Sequence, residues 1–424
     1  MQKNLTPRLI PAFIAIAFSG SAAAAGFQLL EQNASGLGNA YAGSAAVAEN
    51  ASTVFYNPAG MTQLQDREFS LGATVINTSY EFNNSASSTG YLSGNSNGGV
   101  TAVVPNAYLS WRLNKDIYVG LGIGAPFGLS TEYDNNWYGA AQSVKFDIQT
   151  ININPSIAWR ANEWLSLGLG VDYQTLNAEY VRAAAVISPA LAATQATLNL
   201  DGDAWGWNAG ALFTLSPATK IGVSYRSTMN FHLDGDISLN GPAAAGLGAT
   251  GAASNTRADV KLPDTFIVSA THKLNERWEL LGDVSWTGWS SIPKIDVIRT
   301  SGLQNGVTAQ TLDTEFRDTW RVALGSNYQL NDAWKLKFGI AYDQTPVKGP
   351  STRLVSLPDN DRTWFTLGAQ WKPNKTSTFD LGMAYLYVKD PEINNNQALA
   401  GRGLVAGSYQ DRALLFGAQY SMAF

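Results

Sequence analysis

Few side chains in this sequence are suited to catalysis or metal binding. The chain has no cysteine and only two histidines, His232 and His272, which lie far apart. The absence of cysteine excludes a thiolate metal site and a redox-dependent enzyme, and two distant histidines exclude a histidine-rich metal site. A lipid-hydrolysing enzyme would need a nucleophile beside a base, and two histidines give little support for such a pair. We therefore expect no catalytic residue, no cofactor and no bound metal.

An interrupted strand is the first feature with a possible function. Residues 118–128 read as a β-strand, but Pro126 cannot donate a hydrogen bond to a sheet. Gly124 and Gly128 weaken the strand on either side of Pro126 and Phe127. We expect a kink or local break in the sheet at residues 126–128. A tolerated bulge near the rim of a sheet is the alternative interpretation.

Two predicted loops are unusually apolar. They cover residues 183–193 and 241–248 and consist mainly of alanine, glycine and leucine. Exposed loops are normally polar, and an apolar one often marks a surface that binds a hydrophobic partner. Capture of a hydrophobic small molecule is therefore one interpretation, and low-complexity filler is the other.

The start of the chain predicts export. Lys3 and Arg8 precede a short apolar stretch, which ends in small residues at 19–25. This pattern is typical of a secretory signal peptide, with cleavage after Ala24 or Ala25. The apolar stretch is too short to span a membrane. We assign residues 1–25 to the signal peptide.

The rest of the sequence alternates with a period of two. In residues 334–343 and 414–424, large apolar side chains alternate with small or polar ones. Such alternation predicts β-strands with one apolar face. Only 14% of the residues are charged, well below the usual quarter of a soluble protein. A net charge of -5 gives no basic surface for nucleic acid. A soluble β-sandwich or propeller would need a buried apolar core, but the second face of these strands is small or polar. We therefore favour a membrane barrel.

The connections between consecutive strands alternate between short turns and long loops. Short polar turns, such as residues 113–116 and 330–333, are flanked by tryptophan. Longer loops are expected near residues 84–99, 131–146, 183–203, 239–256, 291–313, 346–360 and 390–408. Short turns on one side, long loops on the other and aromatic residues at the interfaces are typical of bacterial outer-membrane barrels. We predict an all-β fold, a transmembrane antiparallel β-barrel of about 14 strands spanning residues 67–424.

Residues 26–66 do not alternate. A barrel of about 14 strands is too wide for its own side chains to fill. The apolar content of this segment also argues against a free periplasmic tail. Ser44 is placed to cap a short helix over residues 45–49. We predict that residues 26–66 form a hatch that plugs the lumen.

Several of these segments resemble the FadL family of outer-membrane transporters of long-chain fatty acids and other hydrophobic compounds. The resemblance covers the mature chain and is carried by residues 27–29, 35–43, 57–60, 104–106, 127–133, 357–362 and 415–417 and by Phe424. It implies a fourteen-stranded barrel closed by an amino-terminal hatch. Its implied hatch residues here are Gly36, Leu37, Gly38, Asn57, Pro58 and Ala59.

The resemblance also implies a route for the ligand. It places a lateral gate towards the bilayer at Pro126, Phe127 and Gly128, and ligand-binding residues of the hatch at Phe27 and Leu29. Arg182 and Arg317 lie in segments similar to those that carry basic residues in the family. A buried charge needs a partner, which a ligand carboxylate would supply. Salt bridges to acidic side chains across the lumen are the alternative.

The expected function is passive, energy-independent uptake of a long-chain fatty acid or related hydrophobic compound by a monomer in the bacterial outer membrane. The partners are the hydrophobic molecule and outer-membrane lipid, with no nucleic acid. Alternatives are an uptake channel for aromatic hydrocarbons, a general porin, or an outer-membrane lipid enzyme. The hatch argues against an open porin.

Overall fold

The computed structural model describes residues 26–246, 253–302 and 304–424. The expected signal peptide at residues 1–25, and the end of the apolar loop at residues 241–248, lie outside the described residues. Within them, no helix combines the length and the apolar character needed to cross a membrane.

Twenty strands in the described residues form one sheet. They are β1 (Arg67–Asn84), β2 (Thr101–Arg112), β3 (Ile117–Gly124), β4 (Gly128–Glu132), β5 (Lys145–Arg160), β6 (Leu165–Ala183), β7 (Gln195–Ser216), β8 (Thr219–Arg226), β9 (Met229–Asn240), β10 (Ala253–Leu262), β11 (Thr265–Lys273), β12 (Trp278–Thr287), β13 (Ile295–Arg299), β14 (Thr308–Leu312), β15 (Thr319–Gln329), β16 (Trp334–Asp343), β17 (Arg362–Trp371), β18 (Ser377–Val388), β19 (Glu392–Asn396) and β20 (Leu404–Ala423).

The helices of the described residues are short. The α-helices are α1 (Thr53–Tyr56), α2 (Pro189–Ala192) and α3 (Pro242–Ala245), and the 3₁₀ helices are Leu37–Asn39, Pro58–Gln63, Trp289–Ser291 and Ala398–Ala400. The helix predicted over residues 45–49 is wrong, because this stretch is turn and irregular backbone. Ser44 does not cap a helix there. Its Oγ donates to Asp283 Oδ2 at 2.9 Å, while the Ala45 N–H donates to Ser269 Oγ at 3.0 Å.

Fourteen strands close into a ring, which confirms the predicted barrel. All neighbours pair antiparallel, in the order β1, β2, β3, β5, β6, β7, β8, β11, β12, β15, β16, β17, β18, β20 and back to β1. The closing register runs from Glu68 opposite Ala423 to Asn84 opposite Gly407. Closure leaves no free sheet edge in the bilayer.

The alternation in sequence determines which side chains face outwards. On β16, Trp334, Phe338 and Ile340 are exposed on the outer face, whereas Lys337 and Asp343 are buried inside. The other ring strands repeat this arrangement, which gives the barrel an apolar outer surface and a polar lumen. This is the distribution that a barrel in a lipid bilayer requires.

Strands outside the ring build the extracellular end. The upper half of β7 pairs with β9, and the sheet continues through β10 and β13 to β14. Much of the predicted loops at residues 183–203, 239–256, 291–313 and 390–408 is therefore strand. These strands, with the upper parts of β5 and β6, curve around an apolar cluster above the barrel.

The segment before β1 lies inside the ring, as predicted for the hatch. Leu37 is fully buried. Gly38 packs directly on the wall, where a Cβ atom would lie 2.7 Å from the Cα of Gly368. The Asn39 side chain donates to the Ser326 and Phe338 carbonyls at 3.0 and 3.2 Å. Glycine is needed at this contact because two backbones meet without space for a side chain.

Asn57, Pro58 and Ala59 form a second anchor of the hatch. The Asn57 side chain donates to the carbonyls of Ala45 and Ala211 at 2.7 and 3.0 Å and accepts from the Ala59 N–H at 3.1 Å. Pro58 begins the 3₁₀ helix Pro58–Gln63. The first residue of a helix has no acceptor for its N–H within the helix, so proline is tolerated there. One side chain thus joins two turns of the hatch to β7.

A buried ion cluster holds the hatch from the other side. Lys337 Nζ lies 2.5 Å from Glu49 Oε1, 3.1 Å from Asp380 Oδ1 and 2.9 Å from the Ser35 carbonyl. Burial alone would raise the pKa of Glu49, but the ammonium groups of Lys337 and Lys335 hold it well below its usual range. The hatch carboxylate is therefore ionised and bound to the wall at neutral pH.

Candidate functional site

A cavity lies between the curved extracellular strands and the hatch, and we call it the outer cavity. It contains about 540 Å³ of space free of protein atoms. Nearly all of its lining side chains are apolar, and they come from seven strands and the hatch: Phe27, Phe146, Ile148, Leu176, Ala178, Tyr180, Leu198, Leu200, Leu233, Val260, Ile295, Val297, Gln310 and Leu312. A cavity of this composition suits an apolar ligand.

An arginine lies behind one end of the outer cavity, where it contacts the lining residue Gln310. Arg182, at the end of β6, is 8% exposed, and its Nε donates to Gln310 Oε1 at 2.9 Å. The same guanidinium donates to the carbonyls of Ala183 and Ala184 at 3.0 and 2.9 Å. Burial and the nearby Arg402 lower the pKa of Arg182. Its hydrogen bonds in the described part of the chain all go to uncharged oxygens, so an anion beside Gln310 would be stabilised.

Arg317 lies elsewhere. Its side chain is 48% exposed, its Nε donates to the Thr345 carbonyl at 3.1 Å, and a guanidinium nitrogen is 3.9 Å from Asp361 Oδ1. Neither arginine lines the outer cavity itself, but Arg182 hydrogen-bonds to Gln310, which does. The structure therefore does not bring the two predicted arginines together, and the salt-bridge alternative describes Arg317 better than it describes Arg182.

Aromatic rings form the floor of the outer cavity. The Phe27 ring lies 5.0 Å from Trp289 and 5.9 Å from Phe127, measured between centroids. All three side chains are buried. Phe27 belongs to the hatch, so a small movement of the hatch would open this floor.

A larger cavity, the inner cavity, lies on the other side of these rings. It contains about 920 Å³ of space free of protein atoms. Ten of its lining residues are apolar: Leu29, Leu30, Phe55, Tyr56, Pro126, Phe127, Met229, Pro263, Ile267 and Trp289. The other ten are polar: Gln28, Ser224, Arg226, Ser227, Thr265, Ser285, Thr287, Thr319, Arg321 and Asp343. The cavity is therefore amphipathic.

The barrel wall is broken beside the inner cavity, at the residues predicted from Pro126. Strand β3 ends with Gly124 opposite Asn152, and β4 begins with Gly128 opposite Gln149. Three residues on one strand thus oppose two on β5, which is a bulge with one extra residue. Residues 101–106 of β2 pair with β1 but not with β4.

The hatch fills the broken ladder. The Leu29 N–H donates to the Pro126 carbonyl and the Gly128 N–H to the Phe27 carbonyl, both at 2.8 Å. The Gln32 side chain donates to the Ala125 carbonyl at 2.7 Å. The predicted ligand-binding residues of the hatch and the predicted gate residues are therefore in direct contact.

A third cavity, the wall cavity, lies within the broken wall. It contains about 380 Å³ of space free of protein atoms. Leu29 and Phe127 line both the inner and the wall cavity, and Val103 and Pro105 of β2 line the wall cavity alone. Because Val103 is exposed on the lipid-facing side of the sheet, the wall cavity reaches the membrane surface.

The two apolar loops meet above the barrel. The Ala243 N–H in α3 donates to Thr194 Oγ1, just after α2, at 2.8 Å. Ile187 is 70% exposed. Both loops therefore belong to one extracellular surface that includes exposed apolar side chains.

Sequence reasoning missed several residues of this region. Gln310 lies in the segment predicted as a loop at residues 291–313, Trp289 lies just before that segment, and Arg402 stands alone between Gly401 and Gly403. Glu31 is fully buried, and both carboxylate oxygens lack a hydrogen-bond partner among the described residues. Burial raises the pKa of Glu31 to about 7. The one available signal was a carboxylate directly after the apolar pair Leu29 and Leu30.

The chain matches known outer-membrane proteins. The sequence profile described as "Outer membrane protein transport protein (OMPP1/FadL/TodX)" matches residues 15–424. The "Long-chain fatty acid transport protein" of Escherichia coli O6:H1 is 32% identical over all of both chains. "Outer membrane protein P1" of Haemophilus influenzae is 32% identical over 87% of each chain.

Solved structures share the fold. A Pseudomonas aeruginosa FadL homologue superposes with a TM-score of 0.84 at 24% identity, covering 94% of this chain and 99% of the homologue. The Ralstonia pickettii toluene transporter TbuX superposes with a TM-score of 0.69 at 18% identity, covering 93% of this chain and all of TbuX.

Proposed function

The chain belongs to the OMPP1/FadL/TodX family of outer-membrane transport proteins, and we propose that it carries long-chain fatty acids, or related apolar molecules with a carboxylate, into the cell by passive diffusion. Transport of hydrophobic compounds across the outer membrane is the function of the family. The ligand class and the route are the parts that we propose.

The outer cavity carries this proposal. An apolar tail would be surrounded by leucine, isoleucine and phenylalanine side chains, and a carboxylate would lie at the end where Arg182 and Gln310 meet. Burying apolar surface would supply most of the affinity, roughly 25 cal/mol for each Å². The guanidinium would orient the molecule and favour acids over plain hydrocarbons, because a charge-assisted hydrogen bond is stronger than a neutral one.

The route that we propose passes through the three cavities in turn. A ligand first adsorbs to the apolar extracellular loops and enters the outer cavity. Movement of hatch residues 27–30 withdraws Phe27 from the floor and opens the inner cavity. The molecule then passes Leu29 and Phe127 into the wall cavity and leaves sideways into the bilayer at Pro126–Gly128.

Contacts of the hatch support a coupling between these two openings. Phe27 closes the floor, while the backbone of residues 27–29 is hydrogen-bonded to residues 126–128 in the wall. A displacement of this short segment therefore affects both partitions. The route needs no energy source, because an apolar molecule that leaves sideways avoids the aqueous periplasm and partitions into lipid.

Uptake of labelled oleate and labelled toluene by a deletion strain tests the proposed substrate class. The strain would carry this chain, the empty vector, or the chain with Arg182→Met. We expect oleate uptake that depends on the chain and falls with Arg182→Met. Uptake of toluene without uptake of oleate would show that aromatic hydrocarbons are the cargo and would refute the proposal.

A further inference from the structure

A second arginine in the lumen has an unused hydrogen-bond donor. Arg321, on β15, is 5% exposed and lines the inner cavity. One terminal nitrogen donates to the Ala40 carbonyl of the hatch at 2.6 Å, and the guanidinium carbon lies 5.3 Å from the Trp364 ring centroid. Its Nε is buried and has no hydrogen-bond partner among the described residues.

Trp289 provides a second unused donor in the same cavity. Its side chain is fully buried, and its indole N–H has no acceptor in the described part of the chain. Leaving one buried donor unsatisfied is costly, and native structures seldom do so without a reason. Two such donors lining one cavity indicate that an acceptor group of a ligand occupies it during the working cycle.

Acidic groups lie around Arg321 without forming an ion pair with it. Asp343 lies directly opposite Arg321 in the strand register, and Arg362 lies opposite Asp343 on the next strand. Glu31 of the hatch and Asp283 also interact electrostatically with Arg321. No ion pair shorter than 4.0 Å joins Arg321 to a carboxylate among the residues described. The guanidinium therefore keeps one donor, Nε, without an acceptor there.

We propose that the inner cavity is a second binding site for the transported molecule, in which Arg321 Nε and the Trp289 indole N–H bind its carboxylate. The inference rests on the proposed function, because it assumes a ligand with a carboxylate. Leu29 and Phe127 line both this cavity and the wall cavity beside the broken strand. A molecule held by its head at Arg321 would thus enter the bilayer tail first.

The protein would therefore bind two fatty acids, one in each cavity. Reconstitution in lipid nanodiscs with [¹⁴C]oleate would count them, and methyl oleate would serve as the uncharged probe. Trp289→Phe removes only the N–H and keeps the ring packing against Phe27. Arg321→Met removes the charge, and Arg321→Lys keeps it.

We expect two oleates on the wild-type protein. The oleate in the inner cavity should bind about ten- to a hundredfold more weakly to Arg321→Met and about tenfold more weakly to Trp289→Phe. Arg321→Lys should retain the second site, and methyl oleate binding should be the same in wild type and Arg321→Met. Single-site binding by the wild type, or equal losses for oleate and methyl oleate, would overturn the second site. A wild-type protein that binds no oleate would refute the proposed function itself.

Discussion

Replacement of Arg182 by methionine tests the chemistry of the outer cavity. Methionine keeps an unbranched side chain of similar length but removes the guanidinium that reaches Gln310 at 2.9 Å. The apolar lining stays in place, so the tail of a ligand keeps its contacts. The hydrogen bonds to Gln310, Ala183 and Ala184 are lost for both ligands, whereas the interaction with a carboxylate is lost for oleate alone.

The size of the effect follows from that single interaction. A hydrogen bond to a charged group contributes roughly 1.5–3 kcal/mol, which corresponds to an affinity about ten- to a hundredfold weaker. We expect this loss for oleate in the outer cavity. Methyl oleate has the same tail, and its affinity should change by less than about threefold, roughly half a kcal/mol.

The assay is a titration of the protein in nanodiscs with each ligand, followed by oleate uptake in cells. Arg317→Met is the matched control, because the Arg317 side chain is 48% exposed and lies 3.9 Å from Asp361. It should leave both affinities unchanged. The reasoning is refuted if Arg182→Met weakens methyl oleate as much as oleate, or if both arginine variants lose the same affinity.

Three further changes test the gate and the hatch. Deleting Ala125 and replacing Pro126 with valine removes the extra residue of the bulge and restores the missing N–H, so β3 and β4 should form one strand. Oleate uptake should then fall at least about tenfold with the barrel intact; unchanged uptake would exclude this gate. The pKa of Glu31 is raised from 4.5 to about 7 in the folded chain, so the folded state retains a proton that the unfolded state releases. The stability of the hatch should then fall by roughly 3 kcal/mol between pH 4.5 and 7. Amide hydrogen exchange of the hatch should show this pH dependence in the wild type and not in Glu31→Gln. The same pH profile in both proteins would contradict the reasoning. Lys337→Met leaves Glu49 and Asp380 without their shared cation, at a cost of about 3–5 kcal/mol. The loosened hatch should raise the ion conductance of the protein in planar bilayers. An unchanged conductance would show that this cluster does not hold the hatch.

Much of the barrel could be predicted from the sequence, because a strand in a lipid bilayer must alternate. The pattern of residues 334–343 is reproduced by the burial of β16, with Lys337 inside and Phe338 outside. The break at Pro126 was also predictable, since proline cannot take part in an uninterrupted ladder. In both cases the residue types of a short segment determine its local structure: alternation determines which side chains face lipid, and proline interrupts the ladder.

The extracellular strands were harder to predict. Residues 195–203 alternate Leu198 and Leu200 with Asn199 and Asp201, yet their apolar face covers a cavity above the membrane rather than lipid. Alternation alone does not distinguish these two surroundings. The loop interpretation therefore hid β13, β14 and the first part of β7, which line much of the outer cavity.

The basic site was predicted only in part. Arg182 reaches Gln310 across a sequence separation of 128 residues, which no local pattern encodes. Arg402 approaches from a different loop, and Arg321 faces a cavity that exists only because the hatch leaves it empty. Such sites depend on which strands become neighbours, and the curvature of the whole sheet determines that.

A reversible closure of the wall would test the lateral route most directly. Because the chain has no cysteine, Val103→Cys combined with Gly128→Cys places two thiols, one on each side of the wall cavity, without background labelling. Bridging them with a short, reducible cross-linker should stop oleate uptake, and reduction should restore it, while oleate binding to the outer cavity persists throughout. Uptake that continues at the same rate with the wall closed would contradict lateral release.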